Sequence, residues 1–572
     1  MFNSKTRYIA LPIIASMLLL AACDQADNAK NAASVLSSAD TILRYVPADT
    51  PYVLANVAPL PDDLLDHLEP KIERLLSAYQ IVLREIVAAK HTDDPESQVT
   101  ALVDELASLL SIESLRAAGL GRDTTGVIYG NGLLPVLRLE TSDGALFEAL
   151  LSRIEEKAAH ELPVATIGDH SYRYVDAGEI KIIIAVLDNQ VVFTVVPSNA
   201  DTDQVSQALG LTLPVENIAD SGLLQSLASE HGFTDHYVGF IDNVAIAEAL
   251  IGDPNTSVMA LLEHESADLS DVCRAEILSL AGIAPRIVLG YTNVSLDSLD
   301  SIAVIELRAD IAAGLQALPS AIPGLGVDQG GLMSFGLGIN IKAAREFVEA
   351  RLAALEAEPF ECEYFAGLQA GVAGGREALS QPVPPMVYDF KGFLAVIDDI
   401  QGLDIATRTP PTSIDASFLL AMDNAQTLVS MGAMFSPELA ALNLQPDGKA
   451  VVLDLPAMQA MGTSAHAALT KNLVAISSGA DSAANVEAML SADAMESPPL
   501  FAFSVDAARY YEFLGNAIAA SKQDQEDAPS PEMQAALNDI MMAMADLYDR
   551  MTANVRLTEH GLEIESSVTL SD

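Results

Sequence analysis

Tryptophan is absent from the 572 residues, aromatic side chains make up 5% of them, and cysteine occurs three times. Recognition of sugars or unpaired bases by stacking needs such rings, so their scarcity argues against both. Basic residues are also scarce: 30 Lys and Arg stand against 79 Asp and Glu, a formal net charge of −49. Phosphate neutralisation requires clustered Lys and Arg, which excludes a nucleic-acid partner. The same excess opposes docking on anionic lipid and favours solubility. No D-x-D-x-D-G loop gathers carboxylates around a calcium ion, so no metal is expected. G-x-S-x-G, H-E-x-x-H, C-x-x-C and the Walker A loop are missing. The glycines at Gly324, Gly326, Gly336 and Gly338 lack the strand, turn and helix context of a dinucleotide site, so no cofactor and no catalytic residue is assigned.

What is present is a large apolar fraction, 50% of residues, with a mean hydropathy of +0.28. A chain of this length and composition builds a sizeable core and divides into two or more domains. At its start, Lys5 and Arg7 precede an apolar run from Ile9 to Leu20 that is too short to span a bilayer comfortably. Residues 1–22 therefore read as a secretory signal peptide. Its end, Leu20-Ala21-Ala22-Cys23, resembles the bacterial lipobox. That resemblance implies that the Cys23 thiol receives a diacylglycerol, that the preceding peptide is removed, and that the new amine takes a further acyl chain such as palmitate. Two or three acyl chains anchor a protein durably, at about 0.8 kcal/mol per buried methylene. Asp24 resembles the acidic signal that retains enterobacterial lipoproteins in the inner membrane, so the periplasmic face of that membrane is favoured over the outer membrane. Loss of Lys5 and Arg7 leaves 28 basic residues and a formal charge of −51. Residues 23–44, polar and unpatterned after the lipidated cysteine, read as a flexible tether.

The most informative property is internal repetition. Aligning "YVGFIDNVAIAEALIG" from Tyr237 with "FAFSVDAARYYEFLG" from Phe501 superposes Asp242 on Asp506 and Glu248 on Glu512. A third copy from Phe335 offers Asn340 and Glu346, and a fainter fourth from Tyr52 offers Asn56 and Asp62. Each is a strand running into a short polar residue and then a helix, the polar residue serving as N-cap and the acid lying near the helix start at the surface. Hairpins are expected to follow at Arg286, Met386 and Arg550. Two inserts also match: "PVLRLE" before "DGALFEALLSRIEE" with "SFLLAM" before "DNAQTLVSMGAM", and the turn, strand, loop and helix from Leu187 with those from Leu469.

The order predicts an α+β fold of two homologous halves, antiparallel sheets with helices packed on one face, at residues 45–316 and 332–572, joined by a Gly- and Pro-rich linker at 317–331. The opening "YVPADTPYVLANV" with this element order resembles envelope lipoproteins built from a duplicated domain of unknown function. That likeness implies an envelope location and supplies no active site.

Two histidine groupings are candidates for chemistry. Asp63 and His67 lie four apart on an expected helix with Asp66 and Glu69 nearby, a spacing that serves a metal or simply a solvated acidic face. His231, Asp235 and His236 precede a strand, where loops present ligands or are merely loops. A serine triad is assembled in space and leaves no fixed order to read. Cys273 and Cys362 remain as the only thiols once Cys23 is acylated; they occupy similar places in adjacent units, and an oxidising periplasm favours pairing them across the junction of the halves. The function expected is a non-enzymatic interaction or scaffold module of the envelope, with partners among envelope proteins or lipid. The alternatives are a carrier of lipid or another apolar ligand, and a hydrolase with its site between the halves.

Overall fold

The computed structural model describes residues 42–90, 105, 107–251, 269–402, 411–454, 463–520 and 530–571. Cys23, the signal segment and nearly all of the tether lie outside the described residues. A four-part rhythm governs the rest: a strand, two helices and a hairpin. The first unit comprises β1 (Tyr52–Asn56), α1 (Asp62–Lys90), α2 (Ile112–Ala117), β2 (Gly126–Asn131) and β3 (Leu134–Glu140). An insert follows, made of α3 (Gly144–Ala158), β4 (Val164–Ile167), β5 (His170–Asp176), β6 (Ile180–Leu187), β7 (Gln190–Pro197), α4 (Thr202–Ala208), α5 (Ile218–Ser221) and α6 (Leu223–His231). The second unit is β8 (Val238–Asp242), α7 (Asn243–Ile251), α8 (Asp271–Ala281), β9 (Arg286–Val294) and β10 (Ser298–Glu306).

After α9 (Ala309–Leu315) the sequence of elements recurs. The third unit is β11 (Met333–Gly338), α10 (Ile341–Ala357), α11 (Ala366–Ser380), a short α12 (Pro385–Tyr388), β12 (Phe390–Gln401) and β13 (Ser413–Met422). The second insert holds α13 (Ala425–Phe435), α14 (Pro437–Ala441), β14 (Val451–Val452), β15 (Ala465–Leu469), β16 (Leu473–Ser478) and α15 (Ser482–Ser491). The fourth unit is β17 (Phe501–Asp506), α16 (Ala507–Ala520), α17 (Pro531–Leu547), β18 (Tyr548–Leu557) and β19 (Gly561–Leu570).

The expected N-caps form the same bond three times. The carboxylate or amide oxygen of Asp242 accepts from the Ala245 amide at 2.8 Å, that of Asn340 from Ala343 at 3.1 Å, and that of Asp506 from Arg509 at 2.9 Å. Glu248, Glu346 and Glu512 are exposed on the helices that follow. The fourth copy departs from the pattern. β1 does end on Asn56, but Pro59 and Pro61 intervene, and the helix begins only at Asp62; the Asn56 side-chain oxygen is buried without a partner among the described residues. A second correction concerns Met386, which lies in α12; its strand begins four residues later, at Phe390.

The described strands join in one open antiparallel sheet of nineteen. Their lateral order is β4-β5-β6-β7-β3-β2-β1-β8-β9-β10-β19-β18-β17-β11-β12-β13-β16-β15-β14. Either side of the β10–β19 pairing a matching series of strands runs outward, with β4 alone lacking a counterpart among the described strands, so the α+β class holds and the repetition is visible in space. Registers match as well: Asp242 lies opposite Arg286, and Asp506 opposite Arg550. The Asp242 amide donates to the Pro51 carbonyl at 2.7 Å and the Asp506 amide to the Leu332 carbonyl at 2.9 Å. These bonds set Pro51 against Leu332 and, by following the ladders outward, Arg138 against Leu419.

One face of the sheet carries the two largest cores. In the first half Val53, Val127, Val192 and Phe240 pack under residues of α4, α5 and α6. In the second, Leu394, Leu419 and Ala475 pack under Ile322, Leu325, Val486 and Met489. The halves are tied together twice more. Leu64 and Leu68 of α1 meet Leu547 and Leu570 from the end of the chain. Cys273 and Cys362 are disulfide-bonded with their Cα atoms 4.8 Å apart. Glu276, one turn after Cys273 on α8, reinforces that junction: its two carboxylate oxygens accept the amides of Glu361 at 2.7 Å and Cys362 at 3.1 Å.

Both cysteines resist alkylation in the native protein until a reductant is added, a mass-spectrometric measurement; two modified thiols without reduction would contradict the bond. Replacing both by serine opens a loop of 89 residues. The chain-entropy model sets the cost at up to about 4 to 5 kcal/mol, read from denaturant unfolding. Asp506→Ala, which removes a cap, costs about 1 kcal/mol.

Candidate functional site

The face opposite the two large cores is where the halves differ. In the first half it is covered by α3, whose Phe147, Leu150, Leu151 and Ile154 pack with Leu137 and Phe193 of the sheet. Asp143 caps this helix, and Phe147 meets Phe193 edge-on at 6.1 Å between ring centroids. With Arg138 set against Leu419, Leu137 corresponds to Phe418 and Phe193 to Ile476, since each pair lies directly opposite across its ladder. The helix caps correspond too, Asp143 following Arg138 at the same interval as Asn424 follows Leu419.

In the second half this cover is incomplete. α13 stops at Phe435, because Ser436 leaves the helix and Pro437 opens α14. Counting from the caps, Phe435 stands where Ile154 stands in α3, yet Phe435 is 88% exposed and Met434 80%. Beneath, Phe418 is 40% exposed and Ile476 42%. Phe393 stacks beside Phe418 at 5.9 Å and meets Phe335 edge-on at 6.0 Å. At one end Met422 and Leu469 are buried, packed with Leu420, Val474 and, from α13, Ala425, Leu428 and Val429. The outcome is a strip of aromatic and aliphatic side chains across β11, β12, β13 and β16 that is only partly covered among the described residues, the kind of surface that marks an interaction site.

A second feature lies on the other face of the same half. The linker residues Gly324, Val327 and Asp328, the strand residues Val396, Asp398 and Ser417, and α15 enclose a cleft of about 510 Å³. Asp328 accepts from Ser504 at 3.1 Å and pairs with Arg550 at 3.2 Å, and Arg550 also donates to the Gly331 carbonyl at 3.0 Å. Ser417 Oγ bonds Ser477 Oγ at 2.9 Å, so both hydroxyls are occupied with each other in the buried floor. His466 Nδ1 lies 2.9 Å from Ser482 Oγ, but Ser482 is fully buried and out of reach of a substrate. Burial and then the nearby Asp415 raise Asp398 above the usual carboxylate range, against the opposing pull of Arg509.

The residues singled out in the sequence are dispersed. His67 Nε2 lies 2.7 Å from the Ser571 carbonyl, which Lys71 also reaches at 2.6 Å, so this face of α1 holds the end of the chain. Asp66 and Glu69 turn instead to Arg122, each at 2.6 Å, and that guanidinium holds Glu69 below its usual range. Asp63 accepts from the Leu64 amide. His231 stacks on Phe233 at 5.4 Å and meets His560 of the other half at 5.5 Å, its pKa lowered chiefly by burial. His236 faces the Ala58 carbonyl at 3.3 Å, so it does not join His231, and Asp235 joins neither through any bond described. Among the described residues no group of three His, Cys, Asp or Glu is placed to hold a metal ion, and no helix is long and apolar enough to cross a membrane. Neither the apolar strip nor the cleft was singled out in the sequence; the signal for the strip was Gly432, which stands where α3 has the covering Leu151.

No family model, no curated protein and no solved structure matches the chain.

Asp398 generates a pH prediction. Its folded-state pKa is raised, so the ionised form is disfavoured on folding and costs stability at neutral pH; the cost vanishes as pH falls below the unfolded carboxylate value. Asp398→Asn therefore raises the melting temperature at pH 7 and leaves it unchanged at pH 3. A lower melting temperature at pH 7 would mean that attraction to Arg509 outweighs burial.

Proposed function

We propose that this chain is a lipid-anchored envelope protein that works as a non-enzymatic interaction module, with the uncovered apolar strip of its second half as the contact surface. The observation that carries the reading is the unequal cover of two equivalent sheet faces, Leu137 and Phe193 lying under α3 while Phe418 and Ile476 stand 40 and 42% exposed. An apolar surface kept in position but only partly covered by its helix retains the cost of exposure, and a partner that buries it recovers about 25 cal/mol per Å². The lipobox reading of Leu20-Ala21-Ala22-Cys23 supports the anchor, and a disulfide suits an oxidising compartment.

A carrier role is the second reading, and the cleft of about 510 Å³ beside Asp398 favours it. That volume fits a small molecule, and its walls mix Val327, Val396 and Met489 with acids and a serine, a lining better suited to a compact polar ligand than to an acyl chain.

The anchor is tested by radiolabelled palmitate: the native chain takes up label and Cys23→Ser does not, whereas label that persists in the variant would overturn the assignment. Native mass spectrometry of the protein taken from its own membrane separates the readings of its action. A bound polypeptide supports the interaction module, and a bound small molecule with no polypeptide supports the carrier.

A further inference from the structure

Resting on the carrier reading, we infer that the cleft of the second half binds a small aliphatic amine, its ammonium group held by the carboxylates of Asp398 and Asp493 and its methylenes lying on Val327, Val396 and Met489. The first half shows that the fold is able to close this space. By the matched ladders Val396 stands where Tyr129 does, and Ser417 where Val136 does, the members of each pair directly opposite one another across their hairpin. Tyr129 is fully buried and packs in the first core, while Val396 and the small Ser417 border an opening of about 510 Å³. A space left open forgoes packing that the duplicate half achieves, so the opening serves something other than the fold.

The polar groups of the lining select a cation. Two residues beyond Val396, at the place of Asn131, stands Asp398. It is the extra residue of a β-bulge, since Ile397 faces Ala416 and Asp399 faces Asp415, whereas the matching first-half ladder runs without a shift. Arg509 bonds the Asp398 carbonyl at 3.1 Å and the Asp399 carboxylate at 2.8 Å, not the Asp398 side chain. Among the described residues the carboxylates of Asp398 and Asp493 take part in no hydrogen bond or ion pair; Asp328, the third acid of the lining, is taken by Arg550 at 3.2 Å. α15 also ends here, with Ala488, Met489 and Ala492 in the wall and no basic side chain in its last turn, so the negative end of its dipole adds to the attraction. The lining holds no Lys, Arg or His to receive an anion and no aromatic ring on which a sugar could stack.

The probe is diaminobutane, titrated calorimetrically into the full chain at physiological salt, with butanol and butyrate as controls of the same carbon length. One saturable site per chain is expected for the diamine and none for the controls. Asp398→Asn and Val396→Tyr each put the first-half residue back, and a thermal melt of each variant checks that it folds. Asp398→Asn should weaken binding about tenfold, the loss of one charge-assisted hydrogen bond, and Val396→Tyr, which fills the cleft, should abolish it. Absence of saturable binding, equal binding of butyrate, or binding that neither variant weakens would overturn the inference; the last outcome marks amines scattered over a chain of formal charge −49. Native mass spectrometry separates this inference from the reading beneath it. A molecule of another class that leaves the membrane with the native chain and is lost in Val396→Tyr keeps the carrier reading and overturns the amine, whereas a native chain that carries nothing and binds no diamine overturns both.

Discussion

The ladder between β10 and β19 is the bond on which the arrangement of the whole chain depends. Nine residue pairs, from Ser298 opposite Thr569 to Glu306 opposite Gly561, fuse the edge hairpin of the second unit to that of the fourth. Each hairpin has already satisfied one side of its backbone within its own unit, and an unpaired outer strand is costly to bury and hazardous to expose. Pairing the two edges removes both problems and turns two half-sheets into one. Because the join is antiparallel between equivalent strands, it imposes an approximate two-fold relation, and nine strands of each half acquire a counterpart in the other. The disulfide and the α1 contact with Leu547 then lock the relation from outside the sheet.

Duplication of this kind supplies an internal control for function. Where the two halves share a feature, as with the caps at Asp242 and Asp506, the feature serves the fold. Where they diverge, the shared architecture no longer explains the residue. The strip beneath α13 is such a divergence, and so is the cleft that the linker residues 324–329 help to form. A third is Arg138, fully buried where the other half has Leu419: its guanidinium lies 3.9 Å from the Tyr45 ring and donates to Gln190 and the Leu209 carbonyl, each at 2.7 Å. A charge held by aromatic and carbonyl groups fixes the first-half core in one arrangement; the second half, with leucine there, keeps its equivalent space apolar.

Much of the fold was legible because it is local. A strand that ends in Asp or Asn and passes into a helix announces itself within about ten residues, which is why three caps fall where the repeats place them. Met386 misled because α12 inserts one extra turn ahead of β12, and Asn56 misled because Pro59 and Pro61 delay its helix. The candidate surface was not legible, since it depends on a comparison in space. Nothing in "SFLLAM" distinguishes Phe418 from a core residue; α13 spans every position from which α3 covers its strands, but Gly432 stands there in place of Leu151 and Phe435 is exposed in place of Ile154. Likewise His231 meets His560 across 329 positions, a contact no spacing rule anticipates.

The central claim is that equivalent faces of the two halves are closed in one and open in the other. Photo-crosslinking in the native envelope tests it, with benzoylphenylalanine placed either at Phe418 or at its counterpart Leu137. The account predicts that the probe at 418 captures a second polypeptide and that the probe at 137 reacts only within the chain, through α3. Purely intrachain products from both positions would contradict it.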